Sequence, residues 1–112
     1  MKLKEINKPL AIIIKGNPKY LNKNKDIANN FYNNIKTMLE EKGYRVKFNN
    51  GEPYTQPENA DLWVAHSRGI DRLKFANKNT KTIALQTKNE NDGMSPNHYQ
   101  LSNKDKKSIN NI

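Results

Sequence analysis

Leu62-Trp63-Val64-Ala65 constrains this chain more than any other segment, because of the turn into which it runs. Four apolar residues stop at His66-Ser67-Arg68-Gly69, and Ile70, Leu73 and Ala76 then recur at helical spacing with Arg72 and Lys74 between them. A short apolar run without alternation reads as a strand buried on both faces. A strand that ends in serine and turns directly into a helix sets a hydroxyl at the carboxyl edge of a sheet, beside backbone N–H groups that have no helical partner. In open α/β sheets that edge is where ligands bind.

The rest of the chain supplies the partners such a strand needs. Leu10 to Ile14 is the most β-prone segment, bounded by Pro9 and by Gly16-Asn17-Pro18, and its unbroken apolarity predicts a central strand. A helix is expected from about Asn24 or Asp26, with Ile27, Phe31, Ile35, Met38 and Leu39 on one stripe, Ala28 beside them, and Lys42-Gly43 at its end. Tyr44 to Phe48 alternates and reads as a strand nearer the edge, and Thr82 to Gln86 as a fourth strand. Ser102-Asn103-Lys104-Asp105 has the form of a capping box with Asp in place of Glu, opening a short last helix anchored by Ile109 and Ile112.

Strands alternating with helices imply right-handed parallel crossovers. The expectation is one α/β domain over residues 1–112: a compact three-layer sandwich with a mostly parallel sheet of about four strands. In a parallel sheet the strand-to-helix loops share one rim. Lys15-Gly16-Asn17, His66 to Gly69, and the polar loop from Asp92 to His98 are therefore expected together.

Only 34% of the 112 residues are hydrophobic, so the core must come from these few segments. The net charge of +9 predicts at most a weak, non-specific attraction for nucleic acid or other anionic surfaces. Its lysines are scattered, however, and no zinc-finger, basic-zipper or RNP pattern occurs. Without cysteine there is no disulfide, thiolate metal site or cysteine nucleophile. Leu10 to Ile14 is too short to cross a bilayer, and the first residues lack a signal-peptide core. These features predict a cytoplasmic protein with no membrane partner and no cofactor or metal. The Lys and Asn bias suits an AT-rich coding genome, that of a phage or a bacterium. Oligomeric state is not legible.

Ala65-His66-Ser67-Arg68-Gly69 resembles the nucleophile elbow of the α/β-hydrolase superfamily, the G-x-S-x-G turn, with Ala65 at the first glycine and the frequent His-Ser-x-Gly form retained. The likeness extends over roughly residues 10 to 105 and is closest to the small, lidless serine hydrolases. It implies a truncated α/β-hydrolase-like fold, with Ser67 as nucleophile, His98 as general base and Asp92 as the acid that orients the imidazole. Oxyanion-hole N–H groups would come from Gly16 or Asn17 and from Arg68, each worth about 3 kcal/mol of barrier. The implied substrate is a small ester or acyl compound. The chain is about half the usual length, lacks the helix before the elbow strand, and carries Asp92 and His98 in one loop. Glu90 could replace Asp92, or a Ser-His pair could act alone.

Two other readings of the same residues stand beside this one. Ser67-Arg68-Gly69-Ile70-Asp71 also resembles the Ala-Arg-Gly-Ile/Val-Asp element of Rossmann-like nucleotide-binding proteins, including the DNA-processing protein family. There the turn and helix N-terminus bind phosphate, Arg68 adds charge and Gly16-Asn17 makes a second contact. The third reading is a non-catalytic α/β module that binds another protein.

Overall fold

The computed structural model describes residues 8–15, 25–49, 56–86 and 99–112, and of Arg68 the backbone. Among them, β1 (Leu10–Ile14), β2 (Arg45–Asn49), β3 (Leu62–Ala65) and β4 (Lys81–Ala84) form one sheet in the order β2-β1-β3-β4. Every pairing is parallel, as the alternation of strands and helices requires. Ile14 lies opposite Asn49 on one side and Ala65 on the other. The two continuously apolar strands thus occupy the centre, and β1 and β3 are buried throughout. The alternating strand β2 takes one edge and β4 the other.

Period-two alternation divides the central side chains between two layers. Ala11, Ile13, Leu62 and Val64 face one way, and Ile12, Ile14, Trp63 and Ala65 the other. Helix α1 (Lys25–Glu41) covers the first face with Ala28, Phe31, Tyr32, Ile35 and Leu39. Their spacing of three and four keeps them on one stripe. Met38 packs partly buried beside them, whereas Ile27, expected on the stripe, is exposed. Gly43, at a φ of 96°, ends the helix in a left-handed turn, and Tyr44 N–H closes it on the Leu39 carbonyl at 3.1 Å.

The second face is covered by a helix of the 3-10 type, Ser67–Phe75, rather than an α-helix. Ile70, Leu73 and Ala76 seat it against β1 and β3, as their spacing predicts. Its tightness begins at the turn, where Gly69 N–H donates to the His66 carbonyl three residues back at 3.0 Å. Sheet and helices make the expected three layers, and the sheet is wholly parallel.

Helix α2 (Asn103–Asn110) packs beside α1 through the buried Ile109, with Ile112 partly buried. Ser102 caps it by accepting the Asp105 N–H at 3.0 Å. The reciprocal half of the capping box is replaced: the Asp105 carboxylate accepts the Gln86 N–H at 2.8 Å and ties α2 to the end of β4. The Lys42 ammonium donates to the Asn110 carbonyl at 2.6 Å and ties the far end to α1. Strand β4 begins one residue earlier than expected and ends at Ala84. Beyond it, Leu85 N–H still donates to the Ala65 carbonyl at 2.9 Å while its side chain joins the α1-side core. No helix among the described residues is long and apolar enough to cross a membrane.

Candidate functional site

Because the sheet is parallel, the ends of β1, β3 and β4 meet on one edge, and the His66-Ser67-Arg68-Gly69 turn stands at its middle. His66 continues the alternation of β3, so its ring follows Leu62 and Val64 to the α1 face. There it is fully buried. Its Nδ1 lies 2.8 Å from the Tyr32 hydroxyl, and the rings of Phe31 and Tyr99 sit 4.6 and 5.6 Å away between centroids. Sequence alone suggests a structural histidine or one bonded to its own turn. It is buried as a structural histidine would be, and a tyrosine of α1 bonds it.

Ser67 breaks the alternation. Its φ is 58°, the only left-handed value at a non-glycine position among the described residues. It follows an extended His66 (φ −133°, ψ 142°) and precedes the 3-10 helix. For an L-residue this conformation costs roughly 1–2 kcal/mol, so surrounding structure must hold it. Two backbone bonds do so on either side: His66 N–H to the Ile14 carbonyl at 3.1 Å, and Gly69 N–H to the His66 carbonyl.

Gly69 completes the turn by close approach. A Cβ there would lie 2.7 Å from the Ile14 carbonyl oxygen, 2.8 Å from Ile14 Cγ2 and 3.0 Å from the Lys15 carbonyl oxygen. Only glycine lets the helix start settle directly on the end of β1. The bond from Gly69 to His66 is also the first of the helix, which leaves the N–H groups of Ser67 and Arg68 ahead of the intrahelical ladder. His66 offers them no side-chain cap.

Lys15 follows β1 on the same edge. Its ammonium sits 5.2 Å from the Tyr32 ring centroid and 4.5 Å from that of Phe48. Partial burial lowers its pKa below the ordinary lysine value. Burial likewise raises the Tyr99 phenol above its ordinary value. Among the described residues the carboxyl edge therefore gathers Ser67, the Arg68 N–H, Lys15 and a buried aromatic cluster around His66.

Of the residues singled out from the sequence, Ser67, Gly69 and the Arg68 backbone are brought together on this edge. Gly16, Asn17, Glu90, Asp92 and His98 lie outside the described residues. Tyr99, next after His98 in the chain, is described, and it packs on His66. Tyr32 and Lys15 carry no site motif in the sequence. The available signals were a tyrosine beside a wholly apolar stripe and a lysine closing the most apolar strand. A groove of about 470 Å³ opens on the outer side of Phe31 and Tyr99, flanked by Asn30, Asn34 and Lys106, and reaches neither His66 nor Ser67. No protein-family model matches the chain, and no curated protein or solved structure matches it.

Proposed function

We propose that this chain is a small serine hydrolase that uses Ser67 to cleave an ester or acyl substrate. The observation that carries the reading is the conformation of Ser67: a left-handed serine between a buried strand and a helix, on a turn closed by a glycine with no room for a Cβ. A nucleophile elbow demands this combination, because the sharp bend lifts the hydroxyl off the sheet while the next N–H stays beside it.

In this reading the Ser67 oxygen bonds to the substrate carbonyl carbon as its proton passes to His98. The tetrahedral oxyanion is held by the Arg68 N–H and by an N–H from Gly16 or Asn17. Collapse breaks the bond to the leaving alcohol, which takes the proton from His98, and water then releases the acid from Ser67 by the same steps. Asp92, or Glu90 in its place, orients the imidazole. The return of the chain to this edge at Tyr99 supports His98 as base. Such an enzyme would work in the cytoplasm of the cell that makes it, including a phage-infected one, and its affinity for nucleic acid would reflect net charge alone.

The test is labelling by a fluorophosphonate probe. Wild type is expected to label, Ser67→Ala to lose the label, and His98→Ala to be slowed at least about a hundredfold. A folded wild-type protein that does not label overturns the reading. The N–H groups of Ser67 and Arg68, which receive no side-chain cap from His66, favour a second one, binding of a nucleotide phosphate at the same turn. It predicts thermal stabilisation by nucleotides, weakened by Arg68→Ala, with no label at Ser67.

A further inference from the structure

The groove outside Phe31 and Tyr99 has a wall on each side and a chemistry of its own. One wall is α1, where Ile27, Asn30, Phe31 and Asn34 recur at intervals of three and four and so lie along one line of the helix. The other is the stretch from Tyr99 to Leu101 together with Lys106 of α2. Phe31 and Tyr99 are buried and Leu101 half-buried, so the base is apolar, while Asn30, Asn34, Gln100 and Lys106 are exposed at the rim. Ile27 leaves the core stripe of α1 at 41% exposure because it belongs to this groove.

The rim suits a polypeptide main chain. Asn30 and Asn34 stand one helical turn apart, about 6 Å along α1. A carboxamide both donates and accepts, so each can take the N–H and the C=O of one residue of an extended chain. Residues that turn those groups to the same side recur at every second position, about 6.6 Å apart. The two spacings agree within the reach of an asparagine side chain. A nucleobase would instead need an open ring to stack on. Phe31 and Tyr99 are only 4% and 6% exposed, and their rings pack on each other and on His66.

Charge narrows the guest further. Lys106 is the one Lys, Arg, Asp or Glu among the described residues lining the groove, and Lys104 and Lys107 stand exposed beside it on α2. The only acid of that helix, Asp105, is buried and accepts the Gln86 N–H. We propose that the groove binds an extended, acidic segment of another protein. An apolar side chain of that segment lies against Ile27 and Leu101, an Asp or Glu meets Lys106, and Asn30 and Asn34 hold the main chain. The site is independent of Ser67, which the groove does not reach.

Selection from a random heptapeptide library against the whole chain tests it. The selected peptides are expected to share an apolar residue with Asp or Glu one or two positions away. Such a peptide, titrated into isotope-labelled protein, should shift the side-chain amide NMR signals of Asn30 and Asn34. Lys106→Glu should weaken binding about tenfold, the value of one charge-assisted contact, and Asn34→Ala about fivefold. Lys78→Glu makes the same change of charge in the turn before β4 and should leave affinity unaltered. No selected family, a family without an acid, or equal weakening by Lys78→Glu overturns the proposal. Adenosine monophosphate and the protein alone at rising concentration are run alongside. Saturable shifts of the same amide signals with the nucleotide would assign the groove to a nucleotide, and shifts with protein concentration alone to a second copy of the chain; either overturns the peptide site.

Discussion

Replacing Ser67 by glycine should stabilise the protein while abolishing the acyl-probe labelling that the proposed hydrolase reading expects. The left-handed backbone at Ser67, φ 58°, costs an L-residue roughly 1–2 kcal/mol, and glycine escapes that cost. Glycine in turn loosens the unfolded chain by about 0.4–1 kcal/mol. The difference is a net gain of about 0.5–1 kcal/mol. For a chain of 112 residues, with an unfolding entropy of about 2.1 cal/mol/K per residue, this raises Tm by roughly 2–4 °C. Ser67→Ala keeps the Cβ, and with it the strain, so its stability should stay within about 0.5 kcal/mol of wild type. Both variants lose the hydroxyl. The comparison therefore separates the backbone from the proposed nucleophile: in urea and thermal unfolding Ser67→Gly should exceed Ser67→Ala, while neither labels. A glycine variant no more stable than the alanine variant would refute the idea that strain is stored at this residue.

Three further substitutions probe what surrounds the turn. Gly69→Ala should cost about 1–3 kcal/mol in urea unfolding, because two of the three atoms its Cβ would meet are backbone carbonyl oxygens at the end of β1, which cannot rotate away; unchanged stability would mean that the helix start can lift off the sheet freely. Tyr32→Phe removes the hydroxyl 2.8 Å from a buried imidazole nitrogen and should cost about 1–3 kcal/mol, checked by chemical denaturation. Tyr99 bears on pH. Its phenol is held above the ordinary value by burial, so above about pH 10 the folded state keeps a proton that the unfolded state has lost, and stability falls as pH rises. Tyr99→Phe should make that alkaline decline shallower, and equal slopes above about pH 10 would refute the assignment.

The scaffold was legible because its signals are local. Unbroken apolarity marks β1 and β3 as central, alternation marks β2 as an edge, and a glycine after a basic residue marks the end of α1. The errors lie where a local pattern meets a tertiary alternative. Asp105 could have closed a capping box, but the unpaired N–H of Gln86 past β4 is within its reach and takes the carboxylate. Leu85 looks like part of a strand because it is apolar, yet it is buried after the strand has ended. The covering helix of the second face has α-like apolar spacing, and it winds as 3-10 because Gly69 draws its start onto β1.

The turn itself was legible as residue types and illegible as a mechanism of support. A serine and a glycine two apart can be read from the chain, but the aromatic cluster behind them is assembled from α1 and from the segment at Tyr99, far away in sequence. That cluster explains why a histidine precedes the serine. Strain persists only where neighbouring structure over-determines the backbone. An apolar residue at 66 would pack among Phe31 and Tyr99 but could be drawn out again with little directional penalty. A histidine bonded to the Tyr32 hydroxyl is fixed in depth and in rotation. With its own N–H on Ile14 and its carbonyl on Gly69, His66 is held through main chain and side chain alike, at the residue from which the Ser67 bend starts. The buried imidazole thus serves the bend by immobilising the peptide from which the half-buried Ser67 side chain projects.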